Sequence, residues 1–226
     1  MPCRPLVWLV FLVVTHAQAL SLDELSNRDA TGGLKEALTQ GAAKAVGLLG
    51  RTDGFLGNPK VKIPLPDSLR QVEGIMRGLG AGRYADELIT TMNRAAEAAV
   101  PEAKTLLVNS IKQMSVQDAK GILSGGDDAA TQYFKRTTSE PLSGKFKPIV
   151  KKAIDRVKLA EKYEQFAGRA AKFGLVKQED AHLENYVTAK ALDGLYLMIA
   201  EEEKAIRKDP VGAAGSLAKK VFGLLK

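Results

Sequence analysis

Few residues in this chain could do chemistry. Glu179-Asp-Ala-His182 has the Glu-x-x-His spacing that sets a carboxylate and an imidazole on one helix face. A di-iron carboxylate centre needs two such pairs plus two further glutamates, and His16 and His182 are the only histidines. The expectation is therefore no metal and no cofactor. Gly125-Gly-Asp-Asp128 lacks the alternating acids and closing glutamate of a calcium loop, and reads as a helix start capped by Asp127-Asp128. Gly78-Leu-Gly-Ala-Gly82 has no Lys-Ser or Lys-Thr after it and is not a phosphate cradle. The only cysteine is Cys3, and no Gly-x-Ser-x-Gly elbow exists. A Ser–His–Asp triad would have to use His182, and thiolate chemistry has no thiol beyond Cys3.

Carboxylates and their polar neighbours remain. Asp86, Thr90, Asn93 and Glu97 recur at spacings of three and four, a polar line along one helix face. Its plain meaning is a solvated face; a hydrolase using two carboxylates would look for them here. Asp193 is the sharper case, because it stands inside Ala191-Leu-Asp-Gly-Leu-Tyr-Leu-Met-Ile-Ala200. A helix apolar on nearly all sides should be buried all round. A carboxylate there should be buried with a partner, since an unpaired buried charge costs several kcal/mol. The expected partner is a lysine or arginine of another helix, or the N–H groups of a helix start such as the one near Asp127. Structural anchoring is the first meaning of Asp193 and a functional acid the second. Asp86, Asn93, Glu97 and Asp193 make up the candidate polar site.

The elements that position these residues are helical almost throughout. Ser21 and Ser26-Asn27 offer N-caps for an opening helix that runs to about Gly50, with Gly33, Ala37, Gly41 and Ala45 forming a smooth ridge for close packing. Lys60-Val-Lys-Ile-Pro-Leu-Pro66 reads as extended, a short edge strand or a strap across the bundle, because Pro64 and Pro66 forbid helix. A helix from Asp67 or Ser68 to Gly78 follows. The next has Tyr84, Leu88, Met92, Ala95 and Ala99 as its apolar stripe. Pro101 opens a helix with Ala103, Leu107, Ile111 and Met114. Ser115 caps another over 116–124, and Asp127-Asp128 one through Phe134. Leu142, Phe146, Ile149, Ala153 and Val157 form a further stripe, which Pro148 should kink or restart. Leu159, Tyr163, Phe166, Ala170 and Phe173 follow. The longest helix runs from about His182 to Lys208, stopped by Asp209-Pro210, and should be the hub. Ser216 to Lys226 is a short amphipathic helix. The fold class is all-α, with about eight to ten helices in one domain over 20–226.

Composition agrees with a folded chain: 45% hydrophobic, 26% charged, 6% aromatic in 226 residues. Such a chain buries enough surface to need no disulfide or metal for folding. The apolar run Leu6–Val14, with Arg4 before it and Ala17-Gln-Ala19 after, is the three-part pattern of a secretory signal peptide cleaved after Ala19. Cleavage would remove Cys3, His16 and Arg4, lowering the formal charge from +7 to +6. The expected destination is the periplasm. Ten basic residues against three acids fill Lys145 to Lys177, and from Glu179 to Glu203 seven acids stand against Lys190 alone. Complementary charge on neighbouring helices is the plain explanation. Nucleic acid is not an expected partner, because no aromatic stacking pattern accompanies the run.

Six segments in this order, LSNRDATGGLKEAL (25–38), VKIPLPDSL (61–69), ADELITTMNRAAEAAV (85–100), SVQDAKGIL (115–123), DDAATQYF (127–134) and YVTAKALDGLYLMIAEEEKAIRKDP (186–210), closely resemble the bacterial domain-of-unknown-function family 4197. The resemblance spans Leu25 to about Phe222 and implies an exported, single-domain helical protein. It implies no activity and assigns no residue a role. Two function classes follow from the residues. The first is a non-catalytic module binding an apolar or amphipathic ligand, an envelope component or a protein partner. The second is a carboxylate-dependent hydrolase of an envelope polymer. A third, lesser one has the basic segment and the C-terminal helix touching anionic membrane.

Overall fold

The computed structural model describes residues 27–164 and 182–209. The signal-like segment 1–19, Phe166 to Phe173, Glu179 and the C-terminal amphipathic segment 216–226 lie outside them. Seven α-helices are bounded within the described residues: α1 (Asn27–Leu49), α2 (Asp67–Gly78), α3 (Gly82–Ala99), α4 (Ala103–Gln113), α5 (Val116–Leu123), α6 (Ala129–Ile154) and α7 (Leu183–Lys208). One 3-10 turn, Val100–Glu102, links α3 to α4 with Pro101 in its first positions, as the missing N–H of proline favours. Residues 158–164 are also helical. No strand is assigned among the described residues, and the Lys60–Pro66 segment carries none.

The sequence expectation of eight to ten helices separates 127–134 from the Leu142 stripe and breaks at Pro148. Instead α6 runs unbroken through both Pro141 and Pro148. Proline in a helix interior costs ~3 kcal/mol. Leu142, Phe146 and Val150 are fully buried at four-residue spacing along that stretch, and each contributes roughly 1.5–3 kcal/mol. Both prolines are exposed, so the carbonyls they leave without a donor face water.

α6 and α7 pack together, α6 against α3 and α7 against α1. One contiguous core joins all of these, including Leu34, Leu88, Met92, Phe134, Phe146, Leu183 and Leu195. The small ridge of α1 does what its side chains allow. Gly33, Ala37, Gly41 and Ala45 are all buried, and a Cβ on Gly41 would stand 3.4 Å from Ile206 Cδ1 of α7. A polar clasp ties α6 to α7: the Tyr196 hydroxyl lies 2.9 Å from Thr138 Oγ1 and accepts from Ser139 Oγ at 3.1 Å. Burial pushes the Tyr196 phenol up from its ordinary value.

α7 is not buried all round. Lys190, Asp193 and Leu197 form an exposed strip. The Asp193 side chain is 72% exposed and, among the described residues, pairs only with Lys190, at 3.7 Å. The expectation of a buried Asp193 is therefore overturned. The apolar stretch 191–200 turns most of its side chains inward but leaves this strip on the outside. Among the described residues, the ion pairs of the α7 acids also do not reach the basic run. Glu202 meets Lys44, Glu201 meets Lys60 and Glu203 meets Arg207, none of them from 145–164.

Candidate functional site

Asn93 and Glu97, on the polar line of α3, are buried rather than solvated. Asn93 accepts from the Ile63 N–H at 2.8 Å and donates to the Ile63 carbonyl at 2.9 Å and to the Ile89 carbonyl at 2.8 Å. Its amide thus mimics a neighbouring strand for the Lys60–Pro66 segment, which cannot complete a ladder because Pro64 and Pro66 lack N–H groups. Glu97 Oε1 accepts from the N–H groups of Phe55 and Leu56 at 3.0 and 3.1 Å. Its Oε2 meets Arg94 at 2.6 Å, and Arg94 reaches on to Asp53 at 2.8 Å. Asp53 takes a positive φ of 62°, a region that aspartate tolerates better than most residues. Both side chains are buried and engaged by the chain's own backbone, and Glu97 by Arg94 as well, so both act as internal anchors.

Asp86 and Thr90, further along the same line, are exposed. Arg77 contacts Asp86 at 2.5 Å and Glu73 at 2.7 Å, bracing α2 against α3. The Arg77 hydrogen bond holds the Asp86 carboxyl below the usual carboxylate range. That favours the ionised form, the opposite of a general acid. Beside this brace, Ile75, Leu79 and Tyr84 leave the α2–α3 corner apolar and exposed.

Asp193 stands apart from the other three, across the Lys60–Pro64 segment. Lys60, Val61, Lys62, Ile63 and Pro64 form one wall of an open cleft of about 250 Å³, and Lys190, Asp193, Gly194 and Leu197 of α7 form the other. Gly194 sets how closely the walls approach, since a Cβ there would lie 2.7 Å from Phe55 Cε1 and 3.2 Å from Val61 Cβ. The fully buried Phe55 occupies the space that any side chain at 194 would need. Ile63 thus faces the cleft while its backbone is held from α3 by Asn93. The Tyr186 hydroxyl donates to the Pro64 carbonyl at 3.1 Å, a second tie from α7.

Two carboxylate systems escaped sequence reasoning. Glu203 sits at the start of α6, where Oε1 accepts from Ala130 N–H at 2.9 Å and Oε2 from the Thr131 N–H and hydroxyl, both at 2.9 Å. Arg207 closes the pair at 2.9 Å. Asp128, expected to cap α6, makes no side-chain cap and instead accepts from Gln132. The Glu203–Arg207 spacing of four was visible in the sequence, but the reach to α6 was not. The second system joins Glu164 to His182 and Glu184 at the start of α7. Glu164 Oε1 accepts from the Leu183 N–H at 3.3 Å. Burial and the charge of Glu184 push the Glu164 carboxyl up from its ordinary value. His182 therefore meets Glu164 and Glu184, while Glu179 lies outside the described residues.

The family model described as a protein of unknown function, DUF4197, matches residues 24–223, nearly the whole chain. The chain belongs to that family. No curated protein and no solved structure matches it. In this DUF4197 chain the four candidate polar residues do not converge. Two are internal anchors, one braces a helix corner, and Asp193 alone opens onto a cleft.

Proposed function

We propose that the chain is exported and works as a non-catalytic binding module for an anionic amphipathic molecule of the cell envelope, held in the cleft between Lys60–Pro64 and α7. The make-up of that cleft carries the reading. Lys60, Lys62 and Lys190 supply positive charge, Pro64 and Leu197 supply apolar surface, and Asp193 is the only acid among the lining residues. Lys60 is engaged by Glu201, whereas Lys62 has no acid within ion-pair distance among the described residues. A carboxylate hydrolase needs two acids facing one bond, and this cleft offers one. At about 250 Å³ the cleft falls just below the ~300–1,000 Å³ of typical ligand pockets, which suits a headgroup and its first carbons.

Two measurements test the proposal. The intact mass of the chain from the envelope fraction should correspond to residues 20–226, and a full-length chain retained in the cytosol would overturn export. Calorimetric titration with dodecyl phosphate should show one site that Lys62→Glu weakens by roughly tenfold, the effect of about 1.4 kcal/mol. Absence of binding, or binding indifferent to Lys62→Glu, would overturn the cleft as the site.

A further inference from the structure

We propose that Glu164, His182 and Glu184 form a site for one divalent transition-metal cation of the zinc or manganese type, separate from the α7 cleft. The three side chains offer one ring nitrogen and two carboxylate oxygens, all within 4.8 Å of one another. The ligand atoms of a tetrahedral cation with bonds of ~2.0–2.1 Å stand roughly 3.3 Å apart. Small rotamer adjustments therefore close the set around an ion. The sequence expectation of no metal rests on the lone histidine, which excludes a paired Glu-x-x-His centre. A mononuclear site needs only one imidazole when two carboxylates join it.

Two carboxylates and an imidazole meet at this corner. Glu184 is 9% exposed, and its carboxylate lies close enough to that of Glu164 to share a hydrogen bond. Neither Glu164 nor Glu184 has a lysine or arginine within ion-pair distance among the described residues. Lys151 feels both charges, but its ammonium is committed to Asp155 at 2.8 Å. Glu164 also receives the Leu183 N–H, through a long bond. Two carboxylates that share a partly buried corner repel each other unless a proton or a cation joins them. One turn along the same face of α7, the buried Thr188 hydroxyl also has no partner. A donor set of one nitrogen and two oxygens suits a borderline or hard divalent ion rather than a thiophilic one. The imidazole side is exposed, so water or a small ligand completes the coordination from solvent.

The test uses the untagged full chain, stripped with chelator and titrated calorimetrically with Zn²⁺ and, separately, Mn²⁺. The expected result is one cation per chain for at least one metal, with the His182 imidazole NMR signals shifting in step with occupancy. His182→Ala, which alters an exposed side chain, and Glu184→Gln, which keeps its volume, should each weaken binding by roughly tenfold or more. Circular dichroism melts without metal establish that each variant is folded, and His182→Ala carries the test if Glu184→Gln is not. Failure of both metals to bind, or binding that His182→Ala leaves unchanged, would overturn the site.

Discussion

The two ends of α7 treat a buried carboxylate in opposite ways. Near its C-terminal end, Glu203 receives two backbone N–H groups, one hydroxyl and a guanidinium. It serves as a borrowed cap for α6, where the helix dipole favours negative charge and the first N–H groups lack partners. At the N-terminal end, Glu164 caps α7 in the same borrowed fashion through the Leu183 N–H. There, however, a second carboxylate, Glu184, stands where Arg207 stands at the other end, with the His182 imidazole beside the pair. The same local device, a carboxylate from one helix placed on the start of another, is thus fully neutralised at one end and over-supplied with charge at the other. The first arrangement stabilises the fold; the second keeps chemistry in reserve.

The comparison can be broken by substitution. The largest effect is expected at Glu203. Replacement by Ala leaves two N–H groups of α6 without their acceptor and takes the carboxylate partner from the largely buried Arg207, and should lower stability by about 3–5 kcal/mol in urea denaturation. A loss below about 1 kcal/mol would mean that the α6 start is not held by this carboxylate.

Glu164→Gln, measured with chelator present, tests the other end. The folded pKa of Glu164 is raised by burial and by Glu184, so the native chain keeps this proton to higher pH than the unfolded chain does. Native protein then binds more protons in the window between the ordinary glutamate value and the raised one, and stability falls as pH rises through that window. Gln removes this contribution while its Oε1 can still accept the Leu183 N–H. The variant should therefore show a flatter stability profile above the usual glutamate range, and should be at least as stable as the parent at neutral pH. A profile as steep as the parent's would show that Glu164 does not hold its proton more tightly in the folded chain.

Asp193 provides the smallest effect and the reference for both ends. Its pairing with Lys190 is at 3.7 Å with both side chains exposed, so Asp193→Ala should change stability by no more than about 0.5 kcal/mol. A loss of several kcal/mol would restore the buried-anchor expectation and undo the assignment of this strip to solvent.

The corrections share a physical origin. One of the two kinds of partner expected for Asp193, the helix start near Asp127, does take a carboxylate from α7. The residue is Glu203, not Asp193. Ten residues separate the two, and at 3.6 residues per turn that leaves them roughly 80° apart around the axis. An apolar stretch with few polar markers does not say which way the helix is turned, so the richest hydrophobic segment still left Asp193 outside. Asn93 and Glu97 were found by their spacing, but whether that line faced water depended on where residues 53–66 lay across it.

Local rules were enough for much of the helix framework. Ser115 and Asp118 form the reciprocal cap that starts α5, the small ridge of α1 is buried, and α7 ends before Asp209-Pro210. These depend on residues within one or two turns of each other, so the sequence alone carries them. Tertiary packing decided the rest. It drew α6 through two prolines by burying Leu142, Phe146 and Val150. It also brought Glu164 within reach of Glu184, twenty positions on. No spacing rule reaches that far: the electrostatics of a site follow distance in space, and only the packed helices set that distance.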